Sequence, residues 1–206
     1  MSDKTLHLAV MLSGSGTNLQ AIVDAIGRGE LDAVIEMVVA SNPRARGILR
    51  AGAAALPTAI FQPADYDEPE ELERKLVETF RRNGVDYVVL AGYMRKVTPV
   101  MLEAFPNRVI NLHPALLPKF PGAHAIQEAY EAGETKTGIT IHFANEEYDK
   151  GPIIFQHEVE VVDGEPIELL EQRIHEAEHR FYPKVLQKIA EDKVHVIDGV
   201  CTIDDR

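Results

Sequence analysis

Arg108-Val-Ile-Asn-Leu-His-Pro-Ala-Leu-Leu-Pro-Lys-Phe-Pro-Gly122 decides how this chain folds, because the pattern before it differs from the pattern after it. Val109-Ile110 is an apolar run that delivers an amide, Asn111, and an imidazole, His113, just ahead of a proline. Alternate residues of a strand share a face, so the two side chains project together from Cα atoms roughly 7 Å apart. Pro114 removes a backbone donor and ends the ladder, and Pro118 and Pro121 keep the following chain irregular. Open α/β sheets place their ligands where strands end in loops of this kind. On spacing alone, an isolated Asn-x-His is better read as a pair that satisfies local hydrogen bonds.

Upstream, strands alternate with helices. Leu6–Leu12 reads as a buried strand, Ser13-Gly-Ser-Gly-Thr-Asn18 as a glycine turn, and Leu19–Ile26 has helical periodicity. Glycines let backbone approach a ligand closely, and the amides at a helix start suit a phosphate. The turn matches the dinucleotide fingerprint poorly, since Leu19 takes the third glycine position and no Lys-Ser/Thr of a P-loop follows. Ile35–Ser41 and Thr58–Phe61 read as strands around a helix over 44–55. An acidic helix follows from Asp65 to about Asn83, stopped by Gly84. Val85–Gly92 is a strong buried strand that runs into Tyr93-Met-Arg-Lys-Val97. Thr98-Pro99 is a helix start. This alternation indicates an open, mostly parallel sheet.

Downstream, a helix over 123–132 precedes two strands, Gly138–Phe143 and Ile153–Val162, joined by the acidic turn-rich loop Asn145–Pro152. A short link between strands implies an antiparallel hairpin. Pro166 opens a long helix, 167–190, in which Pro183 should introduce a kink or an interruption. Val194–Ile197 reads as a last edge strand. The expectation is a single α/β domain over 1–206. Its open twisted sheet is parallel and Rossmann-like in 1–110, a nucleotide- or phosphate-binding half. The sheet is mixed, with an antiparallel hairpin, in 111–206, the catalytic half, and helices cover both faces.

The formal charge of −12, from 33 acidic and 21 basic residues, opposes general nucleic-acid binding. No apolar run reaches membrane-spanning length, and the N-terminus lacks a signal-peptide pattern. The single cysteine, Cys201, excludes an internal disulfide and a cysteine-rich zinc site. These features favour a cytoplasmic setting, small-molecule substrates, and a monomer or homodimer that engages neither nucleic acid nor membrane.

The polar candidates are Asn111, His113, Thr140, His142 and Asp149. There is no Gly-x-Ser-x-Gly elbow, and Cys201 lies in a polar tail unsuited to a thiol nucleophile. His113 and His142 lack metal-motif spacing, so no metal is assigned. A site without a covalent nucleophile remains, suited to acyl transfer between two bound substrates. On spacing alone Asp149 reads as a turn residue ahead of Gly151, and His142 as a satisfied strand histidine.

Six segments carry a resemblance: Ser13–Gln20, Leu90–Arg95, Asn111–Pro118, Gly138–Phe143, Asp149–Ile153 and Glu178–Pro183. In that order the chain resembles the phosphoribosylglycinamide formyltransferase family, which moves a formyl group from 10-formyltetrahydrofolate to glycinamide ribonucleotide in purine synthesis. The Asn-x-His-Pro and Asp-x-Gly-Pro pair belongs to a wider formyl-transfer superfamily. The Gly-Ser-Gly-Thr-Asn loop is more specific to the ribonucleotide branch. The resemblance implies Asn111, His113 and Asp149 as the catalytic trio. Protonated His113 and Asn111 would then hold an oxyanion, with Asp149 stabilising the imidazolium. It implies ribonucleotide contacts at Gly16, Thr17, Asn18 and Glu178. The folate pocket would be lined by Met94, Arg95, Lys96, Val97, Asn111 and the loop Ala144, Asn145, Glu146, Glu147, Tyr148, Asp149. The folate would be a co-substrate, with no tightly bound cofactor. Some family members carry an arginine near the folate tail where this chain has Pro69. Two alternatives stand beside this reading. One is a formyltetrahydrofolate deformylase, whose extra N-terminal domain this chain is expected to lack. The other is a non-catalytic nucleotide- or folate-binding module. A methionyl-tRNA formyltransferase would need a further C-terminal domain and a basic surface.

Overall fold

The computed structural model describes residues 5–204; the first four residues, on which part of the signal-peptide reading rests, lie outside them. Seven strands form one sheet in the order β3-β2-β1-β4-β5-β6-β7. These are β1 (Leu6–Leu12), β2 (Ala33–Ala40), β3 (Thr58–Ile60), β4 (Tyr87–Leu90), β5 (Val109–His113), β6 (Lys136–Phe143) and β7 (Ile153–Glu160). Pairing is parallel from β3 through β5, and antiparallel where β6 joins β5 and β7 joins β6. The change of hand falls on the Asn111–His113 strand. It has a parallel neighbour on one edge and an antiparallel one on the other.

The helices are α1 (Thr17–Gly27), α2 (Gly47–Ala53), α3 (Pro69–Arg82), α4 (Pro99–Ala104), α5 (Ala125–Glu131) and α6 (Ile167–Ala190). The period-two alternation of β1 separates two cores. Leu6, Leu8, Val10 and Leu12 pack with Leu19 and Ile22 of α1 and Ile174 and Tyr182 of α6. Ala9 and Met11 face the opposite side, with Leu76 and Phe80 of α3 and Met101 of α4. Helices therefore cover both faces, as expected. Element ends are tighter than the sequence suggested. The helix expected from Asp65 begins at Pro69, where proline fills the first helical position without losing a hydrogen bond.

Three expectations need correction. Pro183 does not interrupt α6, which runs unbroken over 24 residues. Pro183 is buried, and the packing of α6 against α1, β6 and β7 sustains the helix across it. Val194–Ile197 is not an edge of the main sheet. It is β8, paired antiparallel with β9 (Val200–Ile203) in a separate two-stranded sheet. Asp198 and Gly199 turn between them with φ of 50° and 77°, the Asp-Gly hairpin signal. Cys201 lies in β9, not in a polar tail, and packs beside the first core.

Candidate active site

β1 and β4 are neighbours whose following strands go to opposite sides, so a crevice opens at their carboxyl ends. The Ser13 amide donates to Gly92 O (3.0 Å), and the Met94 amide donates to Ser13 Oγ (3.0 Å), tying the two loops together. Gly16, at φ 70°, turns the chain into α1. A Cβ there would lie 2.5 Å from the Gly47 Cα, so the loop rests backbone to backbone on α2. Behind it, Arg50 Nε donates to Ser15 O (3.0 Å).

This crevice is a cleft of about 370 Å³, lined by Gly14–Asn18, by His124 and Gln127 around the start of α5, and by Glu171, His175 and Glu178 of α6. Among the described residues, no lysine or arginine lines it. Backbone amides at the α1 start are therefore its main fixed attraction for an anion. Asn18 Nδ2 donates to Glu178 Oε2 (3.0 Å), while the buried Asn18 Oδ1 has no hydrogen-bond partner among the described residues and is free to accept from a hydroxyl or amine. His175 Nδ1 lies 3.0 Å from the same Glu178 oxygen, and that bond pushes the His175 imidazole above its ordinary range.

Asn111, His113 and Asp149 meet beside this cleft. Register sets Asn111 opposite His142 and His113 opposite Thr140. Asn111 Nδ2 lies 3.1 Å from His142 Nε2 and donates to Asp149 Oδ1 at 3.4 Å. His142 Nδ1 donates to Phe143 O (2.9 Å), which leaves Nε2 to accept from the Asn111 amide. His113 Nε2 donates to Phe120 O (2.8 Å), and its Nδ1 lies 3.5 Å from Asp149 Oδ2. The Gly122 amide donates to that same oxygen (2.9 Å).

His113, His142 and Asp149 are all buried. Burial lowers the His113 pKa more than Asp149 and the Phe120 carbonyl raise it, so the resting imidazole is neutral at physiological pH. Burial works against ionisation of Asp149. The neighbouring His142 and the Gly122 amide, joined by His113 whenever that imidazole is protonated, outweigh it and hold the carboxyl below its usual range. Asp149, which spacing alone would assign to a turn, sits at φ 55° with its carboxylate turned inward to both histidines. Thr140 points the other way chemically. Its hydroxyl donates to Ala115 O (2.6 Å) and accepts from the Leu117 amide (3.0 Å), so it anchors the proline-rich loop.

A second, narrow pocket of about 30 Å³ opens at Asn111. Arg95, Lys96, Val97, Ala144, Asn145, Glu147, Tyr148 and Asp149 all line it, with Tyr93 and His142. Met94 borders the larger cleft instead, and Glu146 lines neither. The sequence reading passed over Glu171 and His175. They precede Glu178 by seven and three residues, the spacing of one helix face, so Glu178 alone could have led to them. Among the described residues, no group of three or more His, Cys, Asp or Glu side chains is placed to hold a metal ion. No helix among them is long and apolar enough to cross a membrane.

Residues 6–186 match the family described as formyl transferase. The chain is 39% identical over 181 residues to the phosphoribosylglycinamide formyltransferase of Bacillus subtilis, covering 88% of this chain and 93% of that protein. It is 36% identical to part of the trifunctional purine biosynthetic protein adenosine-3 of Drosophila pseudoobscura pseudoobscura, covering 97% of this chain and 15% of that one. The crystal structure of glycinamide ribonucleotide transformylase 1 from Symbiobacterium toebii superposes with a TM-score of 0.96 at 39% identity, each chain covered completely.

Proposed function

The chain belongs to the formyl transferase family, and on that premise we infer that it transfers a formyl group to the amine of glycinamide ribonucleotide in purine biosynthesis. The donor in this reading is 10-formyltetrahydrofolate, bound as a co-substrate. The observation that carries the reading is the meeting of Asn111, His113 and Asp149, with Leu112 and Pro114 on either side of His113 lining the cleft and Asn111 and Asp149 lining the narrow pocket. The cleft offers amides for a phosphate. Two substrates can therefore meet at one amide and one imidazole.

The ribonucleotide phosphate lies at the Gly16–Asn18 amides, and its hydroxyls face Glu178 and the unpartnered Asn18 Oδ1. The folate ring enters between Arg95–Val97 and the 144–149 loop. At about 30 Å³ that pocket is narrow for a bicyclic ring, and in this reading its walls part to admit one. The substrate amine attacks the formyl carbon, and the carbonyl electron pair moves onto oxygen. Asn111 donates to this oxyanion by giving up its longer bond, the 3.4 Å contact to Asp149. His113 leaves the Phe120 carbonyl, carries its own ring proton on Nδ1 against Asp149, and takes on Nε2 the proton that the amine sheds, so that Asp149 faces the imidazolium. Collapse breaks the bond between the formyl carbon and the folate nitrogen, which receives that proton. No acyl-enzyme forms.

Glycinamide ribonucleotide mixed with 10-formyltetrahydrofolate and the protein should release tetrahydrofolate, followed by absorbance. Release that is independent of the ribonucleotide would instead indicate a deformylase, and binding without turnover a non-catalytic module. Gly16→Ala should raise the KM for the ribonucleotide at least about tenfold, because the added methyl drives the amide loop off α2. An unchanged KM would remove Gly16–Asn18 from the phosphate site. The same reading places the protein in the cytoplasm, as a monomer or homodimer acting on small molecules.

A further inference from the structure

Glu73 is 3% exposed, lies in the second turn of α3, and plays no part in the chemistry described above. Both of its oxygens are spent on one neighbouring segment. Oε1 accepts from the Thr98 amide (2.8 Å), and Oε2 accepts from Thr98 Oγ (2.6 Å) and the Met101 amide (3.1 Å). Burying a carboxylate is unfavourable unless such bonds compensate it. The surrounding cluster of Leu72, Leu76, Phe80 and Met101 could have been closed with an apolar side chain. Thr98 is the last residue of a short strap that leaves β4. The other end of the strap is tied at Gly92 and Met94 by Ser13. Tyr93, Arg95, Lys96 and Val97, between the two anchors, form one wall of the narrow pocket.

We infer that Glu73 is a positioning residue for the folate pocket, holding the far end of the strap that forms its wall. This rests on the reading of that pocket as the folate site. The carboxylate must be ionised to accept all three bonds. Burial raises its pKa, with Glu70 on the same helix adding to the rise, while the bonds from Thr98 and Met101 oppose it. From the strap, the half-buried Tyr93 faces it as a phenol pushed up to about 12, by burial first and Glu73 second, with Arg95 opposing. Tyr93 therefore stays neutral, and Glu73 is the member of this pair that carries the charge, with its carboxyl held above the usual range by burial.

The test is Glu73→Gln, with binding of tetrahydrofolate followed by calorimetry from about pH 8 to about pH 5, and KM measured for both substrates. At the upper end the variant should bind tetrahydrofolate about fivefold more weakly, the usual effect of losing a helix-cap bond. Its KM for glycinamide ribonucleotide and its kcat should be unchanged. The ratio of variant to wild-type affinity should close toward one as pH falls, because protonation gives the wild type the same loss. A purely structural role would move both KM values together and leave that ratio constant, which would overturn the inference. Val97→Asp, in the same wall, separates the two readings. If it weakens tetrahydrofolate binding and Glu73→Gln does not, the inference about Glu73 fails and the pocket stands. If neither does, the assignment of the folate pocket itself fails.

Discussion

His113→Ala should lower turnover at least about a hundredfold, and Asn111→Ala by a similar factor, while both proteins stay folded. The size follows from what each side chain offers. Asn111 presents an amide donor beside the place where negative charge develops, and loss of one such donor typically removes about 3 kcal/mol of transition-state stabilisation. His113 offers both a proton acceptor and, once charged, a partner to Asp149 in a buried setting where water screens little. Folding should survive because the sheet core around β5 rests on Val109, Ile110 and Leu112. The pH dependence has a definite sign. Burial holds His113 below the ordinary histidine range, so it is ready to take a proton at neutral pH. Rate should fall on the acid side, at a pH below the ordinary histidine range, as His113 becomes protonated before the amine arrives. His113→Ala should lose that limb. Stopped-flow or steady-state absorbance gives the rates and circular dichroism the fold. Near-wild-type turnover in either variant would remove that residue from the chemistry.

The fold was legible wherever a local pattern carries a global consequence. The apolar runs of β1, β4 and β5 announced strands buried on both faces. The short link after Phe143 announced the antiparallel partner. What was missed depends on distant residues. Pro183 argues locally for a broken helix, and only the packing of α6 on α1 and the sheet overrules it. β9 was overlooked although Asp198-Gly199 is a hairpin turn, because a lone four-residue strand looks the same as a tail until its partner is identified. At the site, strand periodicity showed that Asn111 and His113 share a face but could not supply Asp149. Its carboxylate arrives from a loop 36 residues beyond His113 and turns inward through a left-handed backbone position. The resemblance to a known family filled that gap. His142, the residue bridging Asn111 and Asp149, was legible only as a strand histidine, since register across β5 and β6 decides what it faces.

Gly151→Ala should be nearly as damaging as loss of His113, although residue 151 touches none of the reacting groups. A Cβ at Gly151 would sit 1.7 Å from Phe143 O and 2.9 Å from Phe143 C, where real contacts stay beyond 3.0 Å. The obstacle is backbone, and that backbone is fixed: the Phe143 amide donates to Pro152 O (2.9 Å), and Phe143 ends the strand paired with β5. The loop must therefore retreat by more than an ångström. Asp149, two residues back at φ 55°, would move with it. Its carboxylate reaches Gly122 at 2.9 Å, Asn111 at 3.4 Å and His113 at 3.5 Å, so a shift of that size breaks the set. Misplacement by about 1 Å is worth roughly a hundredfold in rate, and kcat/KM should fall by at least that much. Two comparisons isolate the cause. Gly27→Ala adds a methyl where nothing lies within 4 Å and the backbone is not left-handed, so it should leave rate and Tm almost unchanged. Asp149→Asn keeps the loop in place and removes the charge, so it should match Gly151→Ala in rate without matching its drop in Tm. If Gly151→Ala loses stability yet keeps its rate, the carboxylate of Asp149 has no part in transfer. If Asp149→Asn alone is inactive, the loop tolerates the displacement and the close approach at Gly151 serves folding only.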